Sequence, residues 1–364
     1  MPGAQSSSSA DLNRAPAILR IDLAAIAANY RLLKKRTAAM VSGVVKADAY
    51  GLGLEPVTRT LLSEGCRMFF VATPDEGAAV RAISDKAEIL VLGGLYDGTE
   101  DFYVGRGLMP VLNSLEECDR WAAAAGRFGR KLPAALHFDT GMNRLGLPPF
   151  AHPETRAFDV RLVMSHFAAS DEKNHPLNVR QAEIFAKAAA MYPAAAKSLC
   201  NSSGMFRSPE WHYDAVRPGY ALYGGNPLPE QANPMRPVLS LHARVLQVRD
   251  VRQGETAGYN ATYKFRHDSR TATVALGYAD GFPRSGSNAA KFYWQGQACP
   301  VRGRVSMDLT IIETGHLENP PGPGDWIEVI GGHQTIDALA KDCGTIGYDV
   351  LTALGPRYAR VYSS

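Results

Sequence analysis

A (β/α)8 TIM-like barrel followed by a mainly β C-terminal domain is the α/β architecture this sequence predicts, and three observations predict it. Short apolar runs alternate with helix-like segments about eight times between Ala17 and Gly225, the rhythm of strand–helix units around a parallel sheet. Polar residues stand at the C-terminal ends of those runs, at Lys46, Thr73, Asn113, Asp139, His166, Ser202 and Arg217. A closed barrel gathers all such ends on one face, whereas an open doubly wound sheet gathers only those beside its switch point. Beyond a Pro- and Gly-rich stretch from Gly224 to Pro237, short strands separated by turns replace the alternation.

The expected barrel strands are residues 41–46, 68–72, 89–93, 109–113, 134–139, 159–166, 198–202 and 216–223. Helical patterns lie between them at 23–36, 54–64, 74–83, 114–125 and 179–192. Pro74 suits a first helical turn, and Ser114 with Glu117 makes a capping-box pattern. The basic cluster Lys34-Lys35-Arg36 closes a helix, where cations suit the dipole. In the second domain the expected strands are 241–250, 271–277, 291–294, 298–302, 308–313 and 326–330, with a hairpin turn at Gln295-Gly296. Two short helices are expected near 336–343 and 349–354. The domain boundaries are therefore a Ser-rich, disordered tail over 1–16, the barrel over 17–236, and the β-rich domain over 237–364.

Composition excludes several functions. With 46% hydrophobic and 21% charged residues, the 364-residue chain reads as a soluble globular protein. A net charge of +3 with dispersed basic residues leaves no nucleic-acid footprint. The five cysteines are scattered and lack a CxxC pair, so neither a zinc site nor a disulfide framework is expected, and no metal. No apolar run reaches membrane length and the N-terminal segment has no signal-peptide core, so the cytoplasm is the expected location.

The chemistry centres on Val44-Val45-Lys46-Ala47-Asp48-Ala49-Tyr50-Gly51-Leu52-Gly53. An ammonium at the end of a buried strand is costly, because burial disfavours its charge. That cost has a use if Lys46 is an amine nucleophile whose pKa must fall, as in Schiff-base chemistry. Snorkelling at a strand terminus is the plain alternative. Asn201-Ser202-Ser203-Gly204 follows the seventh strand, and Arg217 to Gly224 covers the eighth. Barrel phosphate sites are commonly built there, from backbone N–H groups and small hydroxyls. A lysine after strand 1 with a phosphate cradle after strands 7 and 8 suggests pyridoxal phosphate.

Seven motifs in order then give a close resemblance. They are Val45 to Gly53, Asp139 to Gly146, Ser165-His166-Phe167, Asn201-Ser202, Arg217-Pro218-Gly219, Gly277 to Gly281 and Gly303 to Asp308. From about Ala17 to Tyr362 the sequence resembles the alanine racemases, fold-type III pyridoxal-phosphate enzymes with a barrel and a C-terminal β domain. The resemblance implies pyridoxal-phosphate-dependent interconversion of L- and D-alanine by two opposed bases, supplying D-alanine for peptidoglycan. By it, Lys46 is the Schiff-base lysine and one base. Tyr259 is the other, entering the partner subunit's site with Met307, so a homodimer is implied. Tyr50, Ser202, Gly219 and Tyr220 match phosphate-holding positions, with Asn201 beside them. His166 matches a residue at the pyridine ring, Arg217 the partner of its nitrogen, and Arg144 a residue reaching the phenolic oxygen and the substrate carboxylate. Tyr278, Arg284, Arg304 and Tyr348 match the substrate corridor, Tyr348 also bordering the cofactor, and Asp171 matches its rim.

Arg217 carries a physical consequence of its own. A guanidinium with a pKa above ~12 does not give its proton to the ring nitrogen, which weakens the cofactor as an electron sink. Return of a proton to Cα is thereby favoured over side reactions. Three departures from the family pattern stand out. His137 replaces a lysine that many relatives carbamylate to orient the Arg144 equivalent, so His137 or a bound anion is expected to orient Arg144. Asn260 stands where glycine is common, and Phe282 where a second tyrosine often appears, both expected near the site. Rival readings are a broader-specificity racemase, a barrel decarboxylase, whose glycine-rich phosphate loop is not found here, and a non-enzymatic cofactor-binding protein, which would usually lack the β domain.

Overall fold

The computed structural model describes residues 9–363. Its contacts divide the chain into two compact units. Ile26–Ala49 and Gly53–Arg236 form one, while the chain up to Ala25, Tyr50–Leu52 and the segment from Pro237 form the other.

In the first unit, seven parallel strands follow chain order: Gly43–Val44, Met68–Val71, Glu88–Val91, Met109–Leu112, Pro133–His137, Asp159–Met164 and Ala196–Ser198. Near-continuous apolar runs such as Met68-Phe69-Phe70-Val71, every residue buried, suit a sheet covered on both faces. The eighth strand, Ala215–Val216, pairs with Met40–Val41, and the N–H of Ser42 donates to the carbonyl of Val216 at 3.0 Å. On its other side Asp214 and Arg217 donate backbone N–H groups to the carbonyls of Lys197 and Cys200. The ring is closed, as expected of a barrel. Every strand is shorter than its apolar run suggested, and most of the eighth, from Arg217 onward, is turn. The polar strand ends therefore sit on connecting backbone at the C-terminal rim.

Helix starts follow the capping chemistry. Thr73 accepts from the N–H of Glu76, whose side chain bonds back, completing a capping box ahead of Pro74–Ile83. Ser114 does the same for the N–H of Glu117 at the head of Leu115–Arg127.

The second unit is built on an antiparallel sheet around the long strand Leu239–Val251. That strand pairs with Ser269–Val274, with Trp326–Ile330 and with Ala17–Asp22. Two boundary expectations are corrected here. The barrel does not begin at residue 17: Ala17–Asp22 lies between Leu239–Val251 and the C-terminal strand Ala359–Ser363. Nor is the whole of 1–16 a disordered tail: Ser9–Arg14 is helical, and the Arg244 guanidinium donates to the carbonyls of Leu12 and Asn13. Residues 1–8 of that tail lie outside the described residues. The hairpin at Gln295-Gly296 forms as expected, with φ of 49° and 82°.

Leu19 is fully buried between Leu241 and Arg360 on the flanking strands, while Arg20 beside it is exposed. Leu19→Ala should therefore cost about 3 kcal/mol, and Arg20→Ala within about 0.5 kcal/mol. Denaturant unfolding of the two variants checks this, and equal effects would remove Ala17–Asp22 from the β-rich core.

Candidate active site

The site begins where the first barrel strand ends. Val45 donates its N–H to the carbonyl of Phe70, completing the strand, and Lys46 follows half-buried. From there the chain makes one turn of left-handed helix: φ is 52° at Ala47, 53° at Asp48, 53° at Ala49, 57° at Tyr50 and 79° at Gly51. Left-handed helix costs L-residues roughly 1–2 kcal/mol each, so the four non-glycine residues store about 4–8 kcal/mol. Small side chains and a closing glycine keep that cost bearable, and outside partners hold the turn. Glu76 accepts from the Ala47 N–H at 2.7 Å, and Asp48 from the Leu54 N–H at 2.7 Å. Nothing in the sequence pattern marked this handedness.

Burial disfavours the charge on Lys46 and lowers its pKa, Arg144 lowers it further, and Glu76 opposes them. The expectation of an amine nucleophile whose pKa falls thus has a physical basis in the barrel.

Below Lys46 lies a buried cation without a carboxylate partner in its hydrogen bonds. The Arg217 guanidinium, 4% exposed, donates to the hydroxyl of Ser198, to the carbonyls of Ser165 and Leu199, and to Nδ1 of His166 at 3.3 Å. Burial pushes its pKa down to about 10, which leaves it cationic at neutral pH. A guanidinium has no acceptor, so Nδ1 of His166 must receive the bond and Nε2 must carry the proton. Burial first, then Arg217, Arg144, His137 and Lys46, hold the His166 pKa well below its ordinary value. The imidazole is neutral.

His137, 8% exposed, is a second neutral imidazole. Asn113 donates through Nδ2 to the Val111 carbonyl, so its Oδ1 is the atom 2.8 Å from His137 Nδ1, which must be the donor. Burial, Arg217 and Arg144 push its pKa down to about 4, against a smaller contrary pull from Asp139. His137 therefore faces the arginines as an uncharged ring with an unprotonated Nε2. It supplies no negative charge in place of a carbamylated lysine. Asp139 shapes the loop leading to the exposed Arg144 by accepting the N–H groups of Gly141 and Met142, each at 2.8 Å.

After the seventh and eighth strands, backbone N–H groups gather on one hydroxyl. The Ser202 hydroxyl oxygen accepts the N–H groups of Gly219 and Ala221, each at 3.1 Å, leaving its own proton to donate. Asn201 sits beside it, its Oδ1 accepting from Ser170 and from the Gly204 N–H. Gly219 and Tyr220 are buried. Asp171 is exposed, and it is its backbone carbonyl that Arg207 engages.

In the β-rich unit, the ring of Tyr50 meets Tyr348 with centroids 6.1 Å apart, and burial raises the Tyr50 pKa. Tyr259 is 68% exposed. The segment before it packs backbone to backbone: a Cβ on Gly258, whose φ is 70°, would meet the Arg304 nitrogen at 2.9 Å. Asn260 takes a φ of 60°, which asparagine tolerates better than most residues, so the glycine of relatives is dispensable there. Gly277 lets the Tyr278 turn lie on the Met307 carbonyl, where a Cβ would come within 2.3 Å. Tyr259, Tyr278, Arg304 and Met307 are thus carried on touching loops. Arg284 is exposed nearby in sequence to Tyr278 but is not joined to them by any of these contacts. Phe282 corrects an expectation: it is 3% exposed and packs edge-on against Phe292 at 5.2 Å, in the core rather than at the site.

Reading by residue type missed Glu76 and Ser198, and it marked Asn113 only as a strand end and Ser165 only as part of a motif. Glu76 left a signal, as the acid three residues after a strand-end threonine.

Two family models match the chain: the alanine racemase N-terminal domain over residues 21–227 and the alanine racemase C-terminal domain over 238–362. The chain belongs to the alanine racemase family. It is 49% identical to the alanine racemase of Acidiphilium cryptum over 95% of this chain and 98% of that one. It is 48% identical to that of Rhodospirillum rubrum over 96% of each. Among solved structures, an alanine racemase from Bartonella henselae with covalently bound pyridoxal phosphate matches with a TM-score of 0.92 at 36% identity, over 96% of this chain and all of that one. Among the described residues, no helix is long and apolar enough to cross a membrane, and no cluster of acids, histidines and cysteines could hold a metal ion.

A depressed histidine pKa has a pH consequence. Folded His137 resists protonation down to about 4, whereas unfolded His137 takes a proton near its ordinary 6.5. Stability is thus present above pH 6.5 and lost as pH falls toward 4, by about 3 kcal/mol in all. Replacing His137 by Asn should flatten the dependence of unfolding free energy on pH across that window. An unchanged slope would contradict the buried neutral ring.

Proposed function

We propose that the chain interconverts L-alanine and D-alanine with pyridoxal phosphate joined to Lys46. The observation that carries this reading is the meeting of one depressed amine, one buried guanidinium and one neutral imidazole at the C-terminal rim of a closed barrel. The donor set fits the cofactor. A hydroxyl proton on Ser202, whose oxygen is held by the Gly219 N–H, suits a phosphate beside Tyr220, with Asn201 fixing the loop between them and Tyr50 reaching the same group. His166 offers a flat uncharged face for a pyridine ring. The chemistry such a group supplies when bound is withdrawal of electrons from the substrate Cα–H bond.

The rest is the work of the side chains. Arg217 keeps its proton at neutral pH, so it can hydrogen-bond a pyridine nitrogen without protonating it. That restraint would limit how far a bound cofactor draws charge from Cα, which favours simple return of a proton. Arg144, cationic and exposed, binds the substrate carboxylate, with neutral His137 beneath it in place of an anion. Lys46 takes or gives the proton on one face of Cα.

Tyr259 does so on the other face, carried by a second copy of the chain with Met307, so the working unit is a homodimer. To act as a base its phenol must first give up a proton, a loss that nearby cations favour. Tyr278, Arg284, Arg304, Tyr348 and Asp171 narrow and charge the approach, admitting small α-amino acids. The D-alanine would serve peptidoglycan synthesis in the cytoplasm.

Tyr259→Phe removes one base only. It should slow release of the α-proton from L-alanine at least about a hundredfold while slowing that from D-alanine much less. Equal losses from the two enantiomers would contradict the assignment of opposed bases.

A further inference from the structure

Glu76 is the acid of a capping box, yet its carboxylate does more than cap its own helix. One oxygen accepts the N–H groups of Ala72 and Thr73, at 2.7 and 3.2 Å, at the end of the second barrel strand. The other leaves the helix altogether and accepts the N–H of Ala47 at 2.7 Å. Ala47 is the first residue of the left-handed turn, directly after Lys46. An ordinary capping-box glutamate satisfies donors within its own helix start. This one ties two neighbouring strand ends together across the rim.

We propose that Glu76 is the positioning residue for Lys46: it clamps the left-handed turn by its first N–H and sets the charge that the amine feels. The clamp is needed because Ala47 sits in backbone territory that alanine rarely adopts, and nothing in its own side chain can hold it there. A peptide N–H bonded to a carboxylate is a charge-assisted contact, stronger than a neutral one. The clamp also fixes the direction in which the Lys46 side chain leaves the strand, since the turn begins at the next residue.

The electrostatic role has the opposite sign to that of the arginines. Burial and Arg144 push Lys46 toward the uncharged form, and Glu76 restrains them. Glu76 is thus a counterweight that favours the charged form of the amine. It touches neither substrate nor the reacting atoms, and acts only through Lys46.

The proposal rests on Lys46 being the cofactor-bearing lysine, and the test separates the two claims. Borohydride reduction of the loaded full-length protein, followed by peptide mass analysis, should place the reduced cofactor on Lys46. An unmodified Lys46 would remove that reading and the proposal with it. The second arm strips the cofactor with hydroxylamine and labels the full-length chain with trace acetic anhydride across pH, reading Lys46 against exposed Lys173. In Glu76→Gln, which keeps the size and one acceptor oxygen, the Lys46 labelling midpoint should move down by about one pH unit, with Lys173 unmoved. Cofactor affinity should fall roughly tenfold, the equivalent of one charge-assisted hydrogen bond. If Glu76→Gln does not fold, Glu76→Asp, which keeps the charge but withdraws its reach, should move the midpoint in the same direction by less. A Lys46 profile identical to the parent protein's in the folded variant would overturn the proposal, even if thermal stability falls.

Discussion

The turn from Ala47 to Gly51 is the constraint around which the rest of the molecule is arranged. Four L-residues in left-handed conformation are unstable alone, so the turn exists only because surrounding structure holds it. The barrel supplies the Glu76 and Asp48 hydrogen bonds. The β-rich unit takes Tyr50–Leu52 into its own contacts, with Arg360 donating to the Gly51 carbonyl at 3.2 Å. One short turn therefore carries a lysine that belongs to one unit and a tyrosine that belongs to the other.

Charge around Lys46 is arranged with similar economy. Arg217 is a buried cation held by carbonyls, a hydroxyl and an imidazole, each of which accepts without neutralising it. Its uncompensated field, added to burial, keeps His166 and His137 uncharged, while burial and Arg144 leave the amine easier to deprotonate. Such a site holds its rings as neutral hydrogen-bonding surfaces.

Much of this was legible in the sequence, for reasons that differ by element. The barrel was readable because buried parallel strands are continuous apolar runs, and because a polar residue closing each run betrays a common face. The hairpin at Gln295-Gly296 and the cap at Ser114 are local chemistry, readable from a few residues. Strand Ala17–Asp22 was misassigned because its apolar pattern is the same whether it joins a barrel or a sheet more than 200 residues away. The left-handed turn was illegible because Ala-Asp-Ala-Tyr favours no such conformation, and only contacts distant in sequence impose it. Phe282 was placed at the site by its neighbours in a motif, whereas the burial of its ring against Phe292 decides otherwise. The tautomers of His137 and His166 could not be read at all, since each is fixed by a partner on another strand.

Membership of the alanine racemase family and the geometry of the rim lead to the same central claim, that this chain moves a proton from one face of Cα to the other. Incubation of L-alanine with the purified, cofactor-loaded protein in deuterated water tests it most directly. The account predicts D-alanine carrying deuterium at Cα, approaching equal amounts of the two enantiomers. L-alanine that stays unchanged, or that loses carbon dioxide, would contradict it.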